Sequence, residues 1–213
     1  MKYQGGCMLD NKGFNLWADE YDKEVGLSEE DNRYPFAGYK DVLGGIFSEI
    51  MQKENAAVLD IGFGTGTLTT KLYENGCTVY GQDFSERMIE LASEKMPNAH
   101  LYQGDFSKGL AEPLTHHTYD FITATYSIHH LNDEQKVEFL KELLAHLNEG
   151  GKILIGDVAF ETREELEKCA QSEGDEWDDE EIYCVAKELG KEFPQVSFKQ
   201  ISYCSGIIEI PKN

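Results

Sequence analysis

The amino-acid sequence predicts an α/β fold built on a parallel sheet with right-handed crossovers, and three observations carry that prediction. Strand and helix signals alternate from residue 56 over some hundred residues, the pattern of consecutive βαβ units. The first strand runs straight into "VLDIGFGTG", residues 58 to 66, with glycine at every second position. The last two strand signals, in "VSFKQISYCSGIIEI", are joined near Cys204 to Gly206 by so short a link that they must pair antiparallel.

Each element has a local reason. Phe14, Trp17, Tyr21 and Val25 recur at helical spacing, as do Phe36, Tyr39, Val42, Leu43 and Ile46. The polar "GLSEEDNRYP" between them reads as a loop. "AAVLDI" is a short apolar run ending in glycine, the form of a buried strand. "GTLTTKLYENG" is a helix stopped by Gly76. "CTVYGQD" is the second strand, and "SERMIELASEKM" a helix with Ser85 as N-cap, closing before Pro97. "AHLYQGD" and "YDFITATYS" supply strands three and four. "NDEQKVEFLKELLAHLNEGG" is an amphipathic helix with Asp133 as cap and Gly150 as stop, and "KILIGDVAF" is strand five. "TREELEKCAQSEGDEWDDEEIYCVAKELGKEF" reads as one broken helix or two. Its acidic run, 173 to 181, is expected to be a solvated helix start, where carboxylates favour the positive end of the dipole.

Composition narrows the function. Of 213 residues, 40% are hydrophobic and 11% aromatic, enough for one good core. Forty acidic residues against 19 basic give a net charge of -21. Such a surface repels phosphate backbones and anionic lipid, so no nucleic-acid or membrane partner is expected. The cysteines, Cys7, Cys77, Cys169, Cys184 and Cys204, are odd in number and form no CxxC. They read as reduced thiols of a cytoplasmic protein, with Cys77 in a buried strand. The opening residues have no apolar run of signal-peptide length, and no stretch approaches a membrane span.

A strand that passes at once into a helix forces a sharp turn. Gly62 and Gly64 let the backbone bend and approach a ligand with no Cβ in the way, and Gly66 permits close packing of the new helix against the sheet. The helix start offers unpaired N–H groups, where nucleotide-like ligands bind. A P-loop would need a lysine after Thr67, and none is there. The dinucleotide fingerprint would need Gly or Ala at Thr67 or Thr69, and fails too. Asp60 beside the turn would repel a pyrophosphate but suits an amino group or a cation. Asp83 closes strand two, 21 residues after Gly62, where an acid accepts ribose hydroxyls. Asp105 ends strand three and can take the amino group of an adenine. Phe84, Met88 and Phe106 can wall the ring, or serve as plain core.

"VLDIGFGTG", "VYGQD", "QGDF", "YDFITATYSIHHL" and "LNEGGKILIGD" resemble the successive motifs of the class I S-adenosylmethionine-dependent methyltransferases. "WADEYD" is similar to the W-A-x-x-Y-D helix of small bacterial members. The resemblance spans about residues 14 to 160. It implies a Rossmann-like seven-stranded sheet in order 3-2-1-4-5-7-6, mostly parallel, with strand 7 antiparallel and helices on both faces. It implies one domain: a helical lid over 1–54, a cofactor-binding core over 55–160, and C-terminal helices with a β-hairpin over 161–213. Asp60, Gly62 and Gly64 would hold the methionine part of S-adenosylmethionine, Asp83 the ribose, and Asp105 with the Phe106 backbone the adenine. Tyr126 would lie beside the sulfonium. The lid aromatics Trp17, Tyr21, Tyr34 and Tyr39 would close over the cofactor, with Tyr21 at the methionine part or packed on the sheet edge.

Methyl transfer from a sulfonium is an in-line displacement that needs alignment and exclusion of water. A base is needed only where the nucleophile must lose a proton. His129 and His130, in "TYSIHHL", follow strand four, where an acceptor would enter. They read as a base or a substrate contact, or else as polar loop and cap residues. Adjacent residues point apart, so one at most is expected in the pocket. No metal is expected, because carboxylates and further histidines at ligand spacing are missing around them. His116 and His117 read as solvated. The expected partner is a small-molecule methyl acceptor, with the chain a monomer or homodimer. The alternatives are a non-catalytic S-adenosylmethionine-binding protein and a nicotinamide-dependent oxidoreductase.

Overall fold

The computed structural model describes residues 32–212. The helix expected around Phe14 to Val25 therefore lies outside the described residues. Helix α1, Tyr39–Ile50, precedes the sheet. Then follow β1 Ala57–Ile61, α2 Thr67–Glu74, β2 Thr78–Asp83, α3 Glu86–Lys95, β3 His100–Gln103, β4 Tyr119–Thr125, α4 Asp133–Ala145 and β5 Leu147–Phe160. The last third holds α5 Arg163–Glu173, β6 Cys184–Val185, the one-turn α6 Ala186–Leu189, β7 Ser197–Gln200 and β8 Ser205–Pro211.

The strands lie in the order β3-β2-β1-β4-β5-β8-β7. All pairs from β3 to β5 are parallel, and β8 runs antiparallel to both β5 and β7. This is the expected sheet, with β8 as its strand 7 and β7 as its strand 6. The two-residue β6 is an addition that pairs in parallel with the end of β5.

Side chains of the central strands alternate between two cores, as the pleat requires. Val58, Phe121 and Leu154 join the buried faces of α1, α2 and α3: Val42, Ile46, Leu68, Leu72, Ala92 and Met96. Leu59, Ile122, Ile153 and Ile155 pack instead on Phe139, Leu140 and Leu143 of α4 and Leu189 of α6. Each such aliphatic side chain, fully buried, contributes about 1.5–3 kcal/mol. That burial on both faces explains why β1, β4 and β5 are apolar runs rather than alternating ones.

Several expected boundaries shift. The N-cap of α4 is Asn132, not Asp133: its side chain accepts from the Gln135 N–H while Gln135 reaches back to the Asn132 N–H. Gly150 does not stop that helix, which ends at Ala145. Gly150 (φ +72) lies inside β5, beside the irregularity where Tyr119 and Phe121 shift register against it. A Cβ on Gly151 would stand 2.9 Å from the Asp120 carbonyl oxygen, so glycine there admits the partner strand. The acidic run 173 to 181 is not a helix start. It begins at the end of α5, passes through the 3-10 turn Gly174–Glu176 and continues as a loop. Cys77 is buried just ahead of β2, and Cys77, Cys169, Cys184 and Cys204 are all free buried thiols.

Candidate functional site

Strand β1 ends at Ile61 and α2 starts at Thr67, so residues 62 to 66 make the whole turn. Gly62, Gly64 and Gly66 take φ of +68, +57 and +79, a region side-chain-bearing residues rarely enter. A Cβ on Gly62 would lie 2.5 Å from Ser127 Cβ, because the turn after β4 comes that close. A Cβ on Gly64 would meet nothing within 4 Å. A Cβ on Gly66 would press on Met96 and Thr70 at 3.1 and 3.2 Å. The close packing Gly66 permits is thus with α3 and its own helix rather than with the sheet.

Asp60 points into the interior beneath this turn, 1% exposed. Its Oδ2 accepts from Thr69 Oγ1 at 2.5 Å, while Oδ1 is buried with no hydrogen-bond partner among the described residues. Burial pushes its pKa up to about 6 against the pull of the Thr69 hydroxyl and of the neighbouring Thr123 hydroxyl, which stands outside hydrogen-bond geometry. A carboxylate oxygen in that position calls for a donor, and an amino group is one. Asp83 ends β2 and braces the turn itself: Oδ2 accepts from Gly64 N and Oδ1 from Ser85 N, both at 2.8 Å. Burial raises its pKa to about 6, with the backbone bonds opposing. With the Phe84 N–H as a third backbone donor, the carboxylate keeps about one acceptor position for a hydroxyl. Phe84 is half-buried beside it, and Met88 is buried behind the Ser85 cap, whose hydroxyl accepts the Met88 N–H.

Asp105 is more heavily engaged than its sequence position suggests. It caps the 3-10 turn Phe106–Lys108, accepting from Ser107 N at 3.0 Å and Ser107 Oγ at 2.5 Å. Lys108 Nζ stands 2.8 Å from its other oxygen. Burial acts to raise its pKa, but Lys108 and Ser107 outweigh it and hold the carboxyl below its usual range. Phe106 is buried against Phe139, ring centroids 6.0 Å apart. A cleft of about 260 Å³ opens between this turn and α4, lined by residues that include Phe106, Lys108, Leu131, Gln135 and Glu138.

Beyond β4 the chain tightens. Tyr126 is a side-chain-bearing residue at φ +49, a strained conformation that clusters at functional sites. It is buried between Phe36 and Tyr39, with centroids 5.3 and 5.1 Å away. Ser127 Oγ donates to the Ile61 carbonyl at 2.7 Å, tying this segment to the tip of β1. The 3-10 turn Ile128–His130 follows. His129 is buried, with Nδ1 2.8 and 3.0 Å from the two oxygens of Asp157 on β5. Its Nε2 lies 3.5 Å from Glu181 Oε1. Burial acts to lower the pKa of His129, but the two carboxylates win and raise it to about 9. With these groups alone, the ring keeps its proton at neutral pH. Tyr183 OH donates to Glu181 Oε2 at 2.5 Å, and Tyr34 bonds Tyr183 through its hydroxyl and stacks on Trp177. Together they form an aromatic wall.

The family described as a methyltransferase domain matches residues 58–151. An uncharacterized methyltransferase of Geobacillus sp. (strain WCH70) is 38% identical over 181 residues, 84% of this chain and 80% of its own. Another, of Oceanobacillus iheyensis, is 32% identical over 210 residues, covering 93% and 95%. The magnesium protoporphyrin IX methyltransferase of Synechocystis PCC 6803, solved with bound SAH, shares the fold at a TM-score of 0.71 and 17% identity, over 95% of this chain and 98% of that one. The chain belongs to the methyltransferases, and its fold is that of the class I members that use S-adenosylmethionine.

The Synechocystis methyltransferase holds SAH, and the residues present here suit the corresponding methyl donor, S-adenosylmethionine. The unpartnered Asp60 Oδ1 asks for a donor, the left-handed glycines bare the backbone, and Gly64 faces open space. Tyr21 lies outside the described residues. His116 and His117 are exposed, as expected. His129 and His130 do not diverge as expected of neighbours. In the 3-10 turn their rings lie 4.4 Å apart, with His129 buried and His130 exposed. The carboxylates missing from their sequence neighbourhood come from Asp157 and Glu181. Sequence reasoning gave neither a role. Asp157 carried one faint signal, a lone acid in the apolar run "ILIGDVAF", and Glu181 was one of many acids in its run.

Proposed function

We propose that this methyltransferase moves a methyl group to a small-molecule acceptor seated over the C-terminal ends of β4 and β5, by in-line displacement. The cofactor supplies a methyl carbon made electrophilic by its sulfonium. Asp60, with the backbone of Gly62 and Gly64, would hold the methionine part, and Asp83 the ribose. Asp105 and the Phe106 backbone would meet the adenine, with Phe84 and Met88 as walls and Gly66 admitting the helix behind. Tyr126 would lie beside the sulfonium. His129 and His130 would face the acceptor.

One observation carries the acceptor side of this reading. The buried His129–Asp157 pair stands next to the Ser127–Ile61 tie, with Tyr183 against the His129 ring at 5.9 Å and Tyr34 and Trp177 packed on Tyr183. A polar pair beside an aromatic cluster suits a compact ligand, which it can orient and shield from water. A net charge of -21 disfavours a nucleic-acid acceptor. The test is to incubate the protein with radiolabelled methyl donor and separated small-molecule, protein and RNA fractions. Label in the small-molecule fraction is expected. Label only in polymer, or donor binding with no transfer to any fraction, would defeat the proposal, and the second result would favour a non-catalytic binder.

A further inference from the structure

We propose that His129, His130 and Glu181 form a binding site for one divalent transition-metal ion of the zinc class. One ligand atom from each lies within 4.8 Å of the other two. His129 Nε2 and Glu181 Oε1 stand 3.5 Å apart. That is long for a charge-assisted hydrogen bond, which settles near 2.7–2.9 Å. It matches the edge of a tetrahedron around an ion that holds its ligands at about 2.1 Å, an edge of about 3.4 Å. Two imidazoles and one carboxylate are a donor set that zinc accepts in sites with one position left open.

The surroundings are arranged as such ligands require. Asp157 accepts the Nδ1 proton of His129 on one side and is itself steadied by the Val158 N–H at 2.8 Å. That holds the ring with Nε2 aimed outward, where an arriving ion displaces the Nε2 proton, the carboxylate–histidine arrangement that orients metal-binding imidazoles. Glu181 has its second oxygen held by Tyr183 OH. The Ile182 N–H donates to the His129 carbonyl at 2.9 Å, locking the segment that carries Glu181 to the turn that carries both histidines. His130 is exposed and Glu181 partly so, leaving an entry path. The site stands on this geometry alone. Its part in catalysis rests on the transfer reading: an acceptor coordinated through oxygen or sulfur loses its proton to water. The lone pair so freed forms the new bond to carbon as the carbon–sulfur bond breaks.

The experiment uses the full chain, stripped with chelator and dialysed. Zn²⁺ is titrated by calorimetry, and Co²⁺ is added as a visible-absorption probe of four-coordinate geometry. One equivalent of either ion is expected to bind, with Co²⁺ giving intense bands. Glu181→Gln and His130→Ala should each abolish the bands and weaken Zn²⁺ at least tenfold. Asp157→Asn should weaken Zn²⁺ about 10–100-fold by loosening the hold on the His129 ring. Glu180→Gln, an exposed neighbour, should leave binding unchanged. Circular dichroism and S-adenosylmethionine calorimetry on every variant separate misfolding from ligand loss. No stoichiometric binding, or binding equal in Glu181→Gln and the parent, overturns the site. Metal binding without any binding of the sulfonium would instead count against the transfer reading and leave the metal site intact.

Discussion

Asp60 and Asp83 are charged groups placed where water is nearly absent, and both reach pKa values of about 6 for that reason. An ammonium brought to Asp60 favours its charged form, so the complex carries fewer protons than the free protein. Cofactor affinity should therefore be flat above about pH 7 and fall as pH drops through 6, by up to about tenfold per pH unit for each carboxylate. Calorimetry across that range reads it, and an affinity independent of pH would remove both acids from the site. Asp83→Ala should weaken cofactor binding by about 1–3 kcal/mol, the cost of a lost charged hydrogen-bond partner. The glycines separate two effects. Gly64→Ala adds only the strain of a left-handed φ, since its Cβ meets open space, and should cost about 1 kcal/mol of stability in urea unfolding. Gly62→Ala adds a 2.5 Å clash with Ser127 and should cost clearly more. Equal losses in the two would show that Ser127 moves aside freely. These residues were legible in the sequence because their signal is local: an apolar strand, a turn, a helix start. Asp157 and Glu181 were not, because their meaning lies in a histidine that only folding brings to them.

At the scale of elements, capping decides more than propensity. The reciprocal Asn132–Gln135 bonds start α4, the helix that covers one face of the sheet next to the histidine turn. Asn132→Ala should cost about 1 kcal/mol and lower the thermal midpoint without touching cofactor affinity. A fall in that affinity would mean that the cap also positions the site. Asp133 is an equally good cap by type, and a single line of residues cannot show which side chain the Gln135 amide answers. Gly150 misled in the same way. A glycine after a helical run signals a stop, yet here the long strand β5 needed it for a left-handed residue near its start. Ser85 was readable, since only Phe84 and Ser85 separate β2 from its helix and only Ser85 has a side chain that caps.

For the whole molecule, buried acids tilt stability against pH. The ordinary value for Asp60 and Asp83 is 3.8, and folding raises each to about 6. The folded state then holds the extra protons between those values, so stability falls as pH rises from about 4 to 6 and stays lower above, by up to about 3 kcal/mol per group. Protonation also relieves part of the self-repulsion of a chain at -21. Without cofactor, the thermal midpoint should be higher near pH 5 than near pH 7.5, and Asp83→Asn should flatten that slope. A midpoint that rises toward pH 7.5 in both forms would contradict the burial cost.

The order of letters alone settled the alternation of strands and helices, the glycine turn and the acids at the strand ends. Each follows from backbone sterics and local burial within a few residues. Folding chose the rest: which turn lies against Gly62, which acids face His129, and where β6 joins the sheet. Those outcomes depend on through-space packing between segments far apart in the chain, which no short window of residues contains.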